Sequence, residues 1–124
     1  MKLTFVETRV FSRRWHERLD DEGLRALQNV LLEDPHEGPT MPGCGILRKV
    51  RFGDPSRGKG KRGGVRVIYM DTPEAGQIDL LLVYGKDRTD DLSATELRAA
   101  CAVARDIRAE LLKRVRRAGR PEKE

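Results

Sequence analysis

Residues 65–84 of the chain read VRVIYMDTPEAGQIDLLLVY. The two ends of this stretch, Val65–Met70 and Ile78–Tyr84, are rich in β-branched, aromatic and aliphatic residues, which favours strands. The proline and glycine between them predict a short turn, as in a hairpin. In the second strand the apolar run Leu80–Val83 is nearly continuous, which predicts a central strand that is buried on both faces.

Two further strands are predicted upstream of this pair. Leu3–Val10 and Ile46–Phe52 have the composition of strands. Residues 36–45 and 53–64 are rich in proline or glycine and are predicted to be loops.

Three helices complete the prediction. Ser12 can cap a short helix that runs to Leu19, and Asp20 or Asp21 can cap a second helix, which Pro35 ends.

The third helix has the clearest start signal. Ser93 and Glu96 form the capping-box pattern, in which each side chain binds a backbone amide at the start of the helix. Apolar residues then recur at helical spacing, so the helix is predicted over Ala94–Arg117, about 36 Å at 1.5 Å per residue.

The predicted order is strand, two helices, three strands and a helix. This order predicts an α+β fold with a mainly antiparallel sheet and with the helices packed on one side. Residues 1–118 are predicted to form one domain, and residues 119–124 a short charged tail.

Positive charge is concentrated in two segments of the chain. The net charge is +5 and the isoelectric point is about 9.6. Arg48–Arg66 holds eight basic residues and one acid, and Arg105–Arg120 holds seven basic residues and two acids. Such a distribution indicates an anionic partner, nucleic acid or an acidic protein, although solubility alone is another explanation of net charge.

The chain has two cysteines, Cys44 and Cys101, and no zinc-finger spacing. We expect no metal and no cofactor, and we favour reduced thiols in a cytoplasmic protein over a disulfide. Because no long apolar stretch occurs, neither a secretory signal nor a membrane span is expected.

Three stretches carry a resemblance to a known family. They are Gly45–Phe52, Gly58–Tyr69 with its Gly-Lys-Gly-Lys-Arg-Gly-Gly loop, and Leu82–Lys86. Together they resemble the RelE/ParE superfamily, and within it the HigB-type toxins of bacterial type II toxin–antitoxin systems. The order of the predicted elements also fits.

The resemblance implies a RelE-like fold and a ribosome-dependent mRNA endonuclease, an mRNA interferase. Such toxins cut mRNA in the ribosomal A site without a metal, because the ribose 2′-OH attacks the adjacent phosphate. It also implies a cognate antitoxin that silences the toxin, and operator DNA as a partner only through the antitoxin complex.

Attack by a 2′-OH requires a base, an acid and cations that stabilise charge on the phosphate. The resemblance implies an arginine on a strand of the active site, and Arg66 is at that position. It is therefore the first catalytic candidate. The alternative is an arginine at the end of a strand that only faces solvent. Strand alternation places Lys49 and Arg51 on one face, and Arg48 and Val50 on the other. Lys49 is also a catalytic candidate, and Arg48 and Arg51 are candidate RNA contacts.

A lysine serves as general base only where burial or other cations lower its pKa. Lys49 and Lys86, at the end of the last strand, are therefore candidates either for proton transfer or for anchoring a phosphate. Tyr84 is a candidate for stacking on a base, with a core position equally open.

The glycine-rich loop has candidate RNA contacts, in which glycine lets the backbone approach a phosphate and the cations attract it. A solvated loop is the alternative. These candidates are Arg57, Lys59, Lys61 and Arg62.

The chain departs from the family pattern at two places. Asp87 stands where RelE toxins carry an arginine, and no tyrosine follows Tyr84. Either the proton transfer is arranged differently, or Asp87 is itself the base.

Two other functions remain open at the level of sequence. A ParE-like toxin of the same fold would inhibit DNA gyrase by protein binding, and a regulator of the same fold would bind nucleic acid without catalysis. The dense cationic patch favours the mRNA endonuclease.

Overall fold

The computed structural model describes residues 2–53, 64–85 and 92–119. Within these ranges, none of the helices is both long and apolar enough to cross a membrane. The helices and strands are, in chain order, β1 (Thr4–Glu7), α1 (Arg9–Arg18), α2 (Asp21–Glu33), β2 (Thr40–Met41), β3 (Cys44–Phe52), β4 (Val65–Thr72), β5 (Gln77–Gly85) and α3 (Ala94–Ala118). A single 3-10 turn, Pro73–Ala75, joins β4 to β5.

The strands form one five-stranded sheet in the order β1-β5-β4-β3-β2. β1 runs parallel to β5, and the other neighbouring pairs are antiparallel. The prediction of an α+β fold with a mainly antiparallel sheet is therefore confirmed.

The helices pack on both faces of the sheet, so the prediction that they lie on one side is wrong. Trp15 of α1 and Leu27 of α2 share a core with Val67 of β4. The next residue, Ile68, belongs to a second core with Ala104 of α3. Because successive strand residues point to opposite faces, α1 and α2 cover one face and α3 the other. We call these the α1/α2 face and the α3 face.

The apolar run of β5 explains this arrangement. Leu80 and Val83 are buried on the α1/α2 face, whereas Leu81 and the half-buried Leu82 pack on the α3 face. The pairing of β4 with β5 shifts at this point, where Ile68 pairs with Leu82 but Tyr69 with Leu80. This β-bulge places two consecutive side chains of β5 on the same face.

Two local differences from the prediction concern short elements. α1 begins at Arg9 rather than after Ser12, because the hydroxyl of Thr8 accepts a hydrogen bond from the amide of Phe11. The same hydroxyl donates to the carbonyl of Leu81, which joins the start of the helix to β5. The two-residue strand β2 lies inside the predicted loop 36–45.

α3 begins at the predicted capping box, with both hydrogen bonds present. It is joined to β3 by a disulfide between Cys44 and Cys101, so the expectation of two reduced cysteines is wrong. Cys44 is the first residue of β3, and Cys101 lies on the buried stripe of α3. Packing of the helix on the sheet brings their Cα atoms to 6.1 Å, within the usual range for a disulfide.

Candidate nucleic-acid site

Three cations and a tyrosine lie together on the α3 face, at one end of β3, β4 and β5. Arg66 is directly opposite Arg51 of β3 on one side and Tyr84 of β5 on the other. Lys49 stands two residues before Arg51 and is opposite Ile68, so it projects from the same face. We call Lys49, Arg51 and Arg66 the cationic cluster.

Burial on the opposite face fixes this arrangement. Val50, Phe52, Val65 and Val67 are all buried in the core of the α1/α2 face. A shift of the register by one residue would turn these side chains out and the cations in. The alternation of apolar and basic residues in β3 and β4 therefore determines which residues lie on the α3 face.

The side chain of Arg66 is half-buried, and its Nη1 atom is fully buried. Nη1 has no hydrogen-bond partner within the described ranges. A buried donor without an acceptor costs about 1–3 kcal/mol, and a charged donor costs more. An acceptor supplied by a ligand would remove this cost.

The direct pairing of Arg51 with Arg66 also points to an anionic ligand. Directly opposite residues of an antiparallel pair have Cβ atoms about 4.5–5.5 Å apart, and like charges in such positions destabilise the sheet. A phosphate between the two guanidinium groups attracts both of them and offsets their mutual repulsion. The exposed Arg51 and the half-buried Arg66 and Lys49 leave the site open to a ligand.

Arg48, also predicted to contact RNA, does not join the cationic cluster. It is opposite Tyr69, whose side chain is buried on the α1/α2 face. The Nη1 atom of Arg48 donates to the carbonyl of Gly38 at 2.9 Å. The structure thus gives Arg48 a role in holding the segment before β2 against the sheet.

Tyr84 is buried, with 6% of its surface exposed, and it packs in the core of the α3 face. It also lines a cleft of about 360 Å³ between β5, the start of α1 and the first turns of α3. Its position is consistent with both roles that the sequence left open, because the ring is part of the core and also borders an open cleft.

No family model matches the chain. It is similar to the crystal structure of the isolated E. coli RelE toxin, with 16% identity, 82% of this chain and 98% of that chain covered, and a TM-score of 0.50. It is also similar to an arginine-to-alanine double mutant of the E. coli RelE toxin in the free state, with 16% identity, 80% and 98% covered, and a TM-score of 0.54.

The chain has the RelE fold. This confirms the RelE-like architecture that the resemblance implied. The closer likeness to HigB-type toxins stays a prediction, since both structures are of RelE.

Six predicted site residues lie outside the described ranges of this RelE fold. They are the catalytic candidates Lys86 and Asp87 and the loop candidates Arg57, Lys59, Lys61 and Arg62. Among the described candidates, the fold brings together Lys49, Arg51, Arg66 and Tyr84.

The sequence reasoning missed the cleft beside Tyr84 and the contribution of Arg14 of α1 to its lining. One signal was available: Val103, at the rim of the cleft, is an apolar residue that stays 50% exposed on α3. An exposed valine beside a helix's buried stripe indicates a surface that the fold itself leaves uncovered.

Proposed function

We propose that this protein is the toxin of a type II toxin–antitoxin system and a ribosome-dependent mRNA endonuclease. The observation that carries the proposal is Arg66, whose buried Nη1 lacks an acceptor within the described ranges. Because Arg66 also faces Arg51 across the strand pair, the site is arranged to take an anion. The RelE fold supports the proposal.

The proposed reaction needs no metal. The ribose 2′-oxygen attacks the adjacent phosphorus, and the bond from phosphorus to the 5′-oxygen of the next nucleotide breaks. The products are a 2′,3′-cyclic phosphate and a 5′-hydroxyl end. Arg66 binds the phosphate and stabilises the charge that develops on its oxygens, and Arg51 and Lys49 add positive charge to the same face.

Three residues are candidates for the base and the acid of this reaction. Lys49 lies in the cationic cluster, and Lys86 and Asp87 follow β5 in the sequence. Proton transfer requires the group to come within hydrogen-bond reach of the 2′-OH or of the leaving oxygen. We therefore keep all three as candidates and assign only the phosphate contact to one residue, Arg66.

The partners of the proposed toxin are the ribosome, the mRNA in its A site and a cognate antitoxin in the cytoplasm. Operator DNA is contacted only through the antitoxin complex. Exposed cations of α3 are available to either large partner; they are Arg105, Lys113, Arg114, Arg116 and Arg117.

A toeprint on translated mRNA tests this proposal. We would add wild-type protein, Arg66→Ala or Arg25→Ala to a reconstituted translation extract and map new 3′ ends on the message. Arg25 is an exposed arginine of α2, so its variant loses the same charge away from the site. We expect cleavage within codons for the wild type and for Arg25→Ala, and its loss for Arg66→Ala.

A message with a single 2′-deoxynucleotide at the mapped position tests the nucleophile, and we expect it to resist cleavage there. Intact message with normal translation in all samples would refute the endonuclease. If DNA gyrase is then inhibited instead, the protein is a ParE-like toxin. If it is not, a non-catalytic regulator of the same fold remains.

A further inference from the structure

The cleft beside Tyr84 is next to the cationic cluster but distinct from it. Its lining is mostly aliphatic, with Leu82 of β5 and Ala100 of α3 among its walls and Val103 on its rim. The β-bulge of β5 contributes to it directly, because it places both Leu81 and Leu82 on the α3 face. With about 360 Å³, the cleft lies within the size range of small-molecule sites.

We infer that this cleft holds one nucleobase of the RNA whose phosphate is bound by Arg66. The inference rests on the proposed function and adds a subsite to it. Tyr84 connects the two places, because it lines the cleft and is also directly opposite Arg66. Adjacent strands are about 4.8 Å apart, so phosphate and base lie within the reach of one nucleotide.

The chemistry of the cleft matches a base flanked by phosphates. Aliphatic walls and an aromatic ring suit the flat faces of a base, which stacks on tyrosine without regard to sequence. Among the described residues, Arg14 lines the cleft on the α1 side and Glu96 on the α3 side. The Oε1 atom of Glu96 accepts from the amide of Ser93 in the capping box. Arg66 lies beyond Tyr84 on the other side of β5 from Arg14. The cleft thus has a cation toward each side, as the phosphates on either side of a nucleotide require.

The same features favour RNA over an apolar peptide segment. An apolar peptide has no anion to place beside Arg66, whose buried Nη1 atom has no acceptor within the described ranges, whereas a phosphate supplies one. A nucleotide supplies the base and the phosphate oxygens from one molecule. We therefore assign the cleft to the RNA and treat a protein occupant as an outcome of the test.

The test fills the cleft without changing charge. Ala100 is a half-buried residue of α3 in the cleft wall, and Ala100→Leu adds volume there with little loss of helix propensity. Ala102→Leu is the matched control, since Ala102 is exposed on the same helix and does not line the cleft. The probe is a fluorescein-labelled single-stranded RNA hexamer, 2′-O-methylated throughout so that it lacks the nucleophile.

Binding is measured by fluorescence anisotropy, with a series of probes that each lack one base while keeping the backbone. We expect one abasic position to weaken wild-type binding at least tenfold, equivalent to about 1.4 kcal/mol. Ala100→Leu is expected to bind the intact probe at least tenfold more weakly and to lose sensitivity to that abasic position. Its salt dependence should not change, because the phosphate contacts remain. Ala102→Leu should behave as wild type.

Two results would overturn the inference. In one, no abasic position matters to the wild type; in the other, Ala100→Leu keeps wild-type affinity for RNA, including the case in which it loses only the binding of the antitoxin. The proposed function is tested separately by Arg66→Ala. If that variant binds the probe weakly while the abasic series shows no effect, only the base subsite fails.

Discussion

Breaking the Cys44–Cys101 disulfide is expected to destabilise the protein by about 4 kcal/mol. The two cysteines are 57 residues apart in sequence, and the loop between them contains β4 and β5. Closing a loop of this length removes about 14 cal/mol/K of entropy from the unfolded chain in the chain-entropy description. At 25 °C that entropy corresponds to about 4 kcal/mol.

This change should be large in a thermal melt. Unfolding entropy is about 2.1 cal/mol/K per residue, or about 0.26 kcal/mol/K for a chain of 124 residues. A loss of about 4 kcal/mol therefore lowers the Tm by about 15 °C.

The assay is a melt followed by circular dichroism, with and without a phosphine reductant. The control is the double variant Cys44→Ala/Cys101→Ala, which should melt near the reduced wild type and should not respond to reductant. Thiol titration of the denatured, unreduced protein should find no free thiol. Two free thiols would show that the bond does not form, and a reductant-insensitive Tm with no free thiol would refute the entropic argument.

Three further predictions concern buried polar groups. Tyr69→Phe removes a hydroxyl that donates to the carbonyl of Pro35 and accepts from the amide of Gly38. Urea denaturation should show that the free energy of unfolding falls by about 1–3 kcal/mol. An unchanged urea midpoint would contradict this prediction. The hydroxyl of Thr72 is buried with no partner inside the described ranges. Thr72→Val should therefore raise the free energy of unfolding by about 1–3 kcal/mol. A decrease would show that the hydroxyl has an acceptor. Burial raises the pKa of the Asp79 carboxyl above its usual range, although a hydrogen bond from Gln77 opposes the shift. Because the folded pKa is the higher one, the contribution of this group to stability is present below the unfolded pKa and is lost as the pH rises through the folded value. Asp79→Asn should therefore be more stable than wild type at neutral pH, with a gain that shrinks in acid; a gain that is the same at every pH would refute the titration.

The elements that sequence predicted well are those determined by local interactions. The capping box of Ser93 and Glu96 starts α3 where expected, because both partners lie within one turn. The side chain of Asp20 likewise caps α2, by accepting from the amide of Gly23. The alternation of β3 separated Lys49 and Arg51 from Arg48, because the period of a strand is a property of its own backbone.

The continuous apolar run of β5 held more information than the prediction used. A strand buried on both faces needs a layer on each face. The prediction of two-sided burial was confirmed, and it was incompatible with helices on one side only. α3 is the layer that resolves this conflict, since it covers Leu81 while α1 and α2 cover Leu80.

The candidate site depended on contacts that sequence does not encode locally. That Arg66 is directly opposite Arg51 follows from the register of β3 with β4, which the sequence did not specify. The disulfide was missed for the same reason, since Cys44 and Cys101 meet only after α3 packs on the sheet. The cleft is a third case, because it is made by α1, β5 and α3 together.

The parallel pairing of β1 with β5 has a consequence for synthesis of the protein. The hydroxyl of Thr8, the residue that follows β1, donates to the carbonyl of Leu81, which is 73 positions later in the sequence. At about 5–20 residues per second, the ribosome adds Leu81 about 4–15 s after Thr8, since the two are 73 positions apart. Throughout that interval the first strand of the nascent chain has no partner in the sheet. Tyr84, made later still, takes its place beside Arg66 only after β5 has emerged, so the proposed nuclease site cannot form before β5 has left the ribosome.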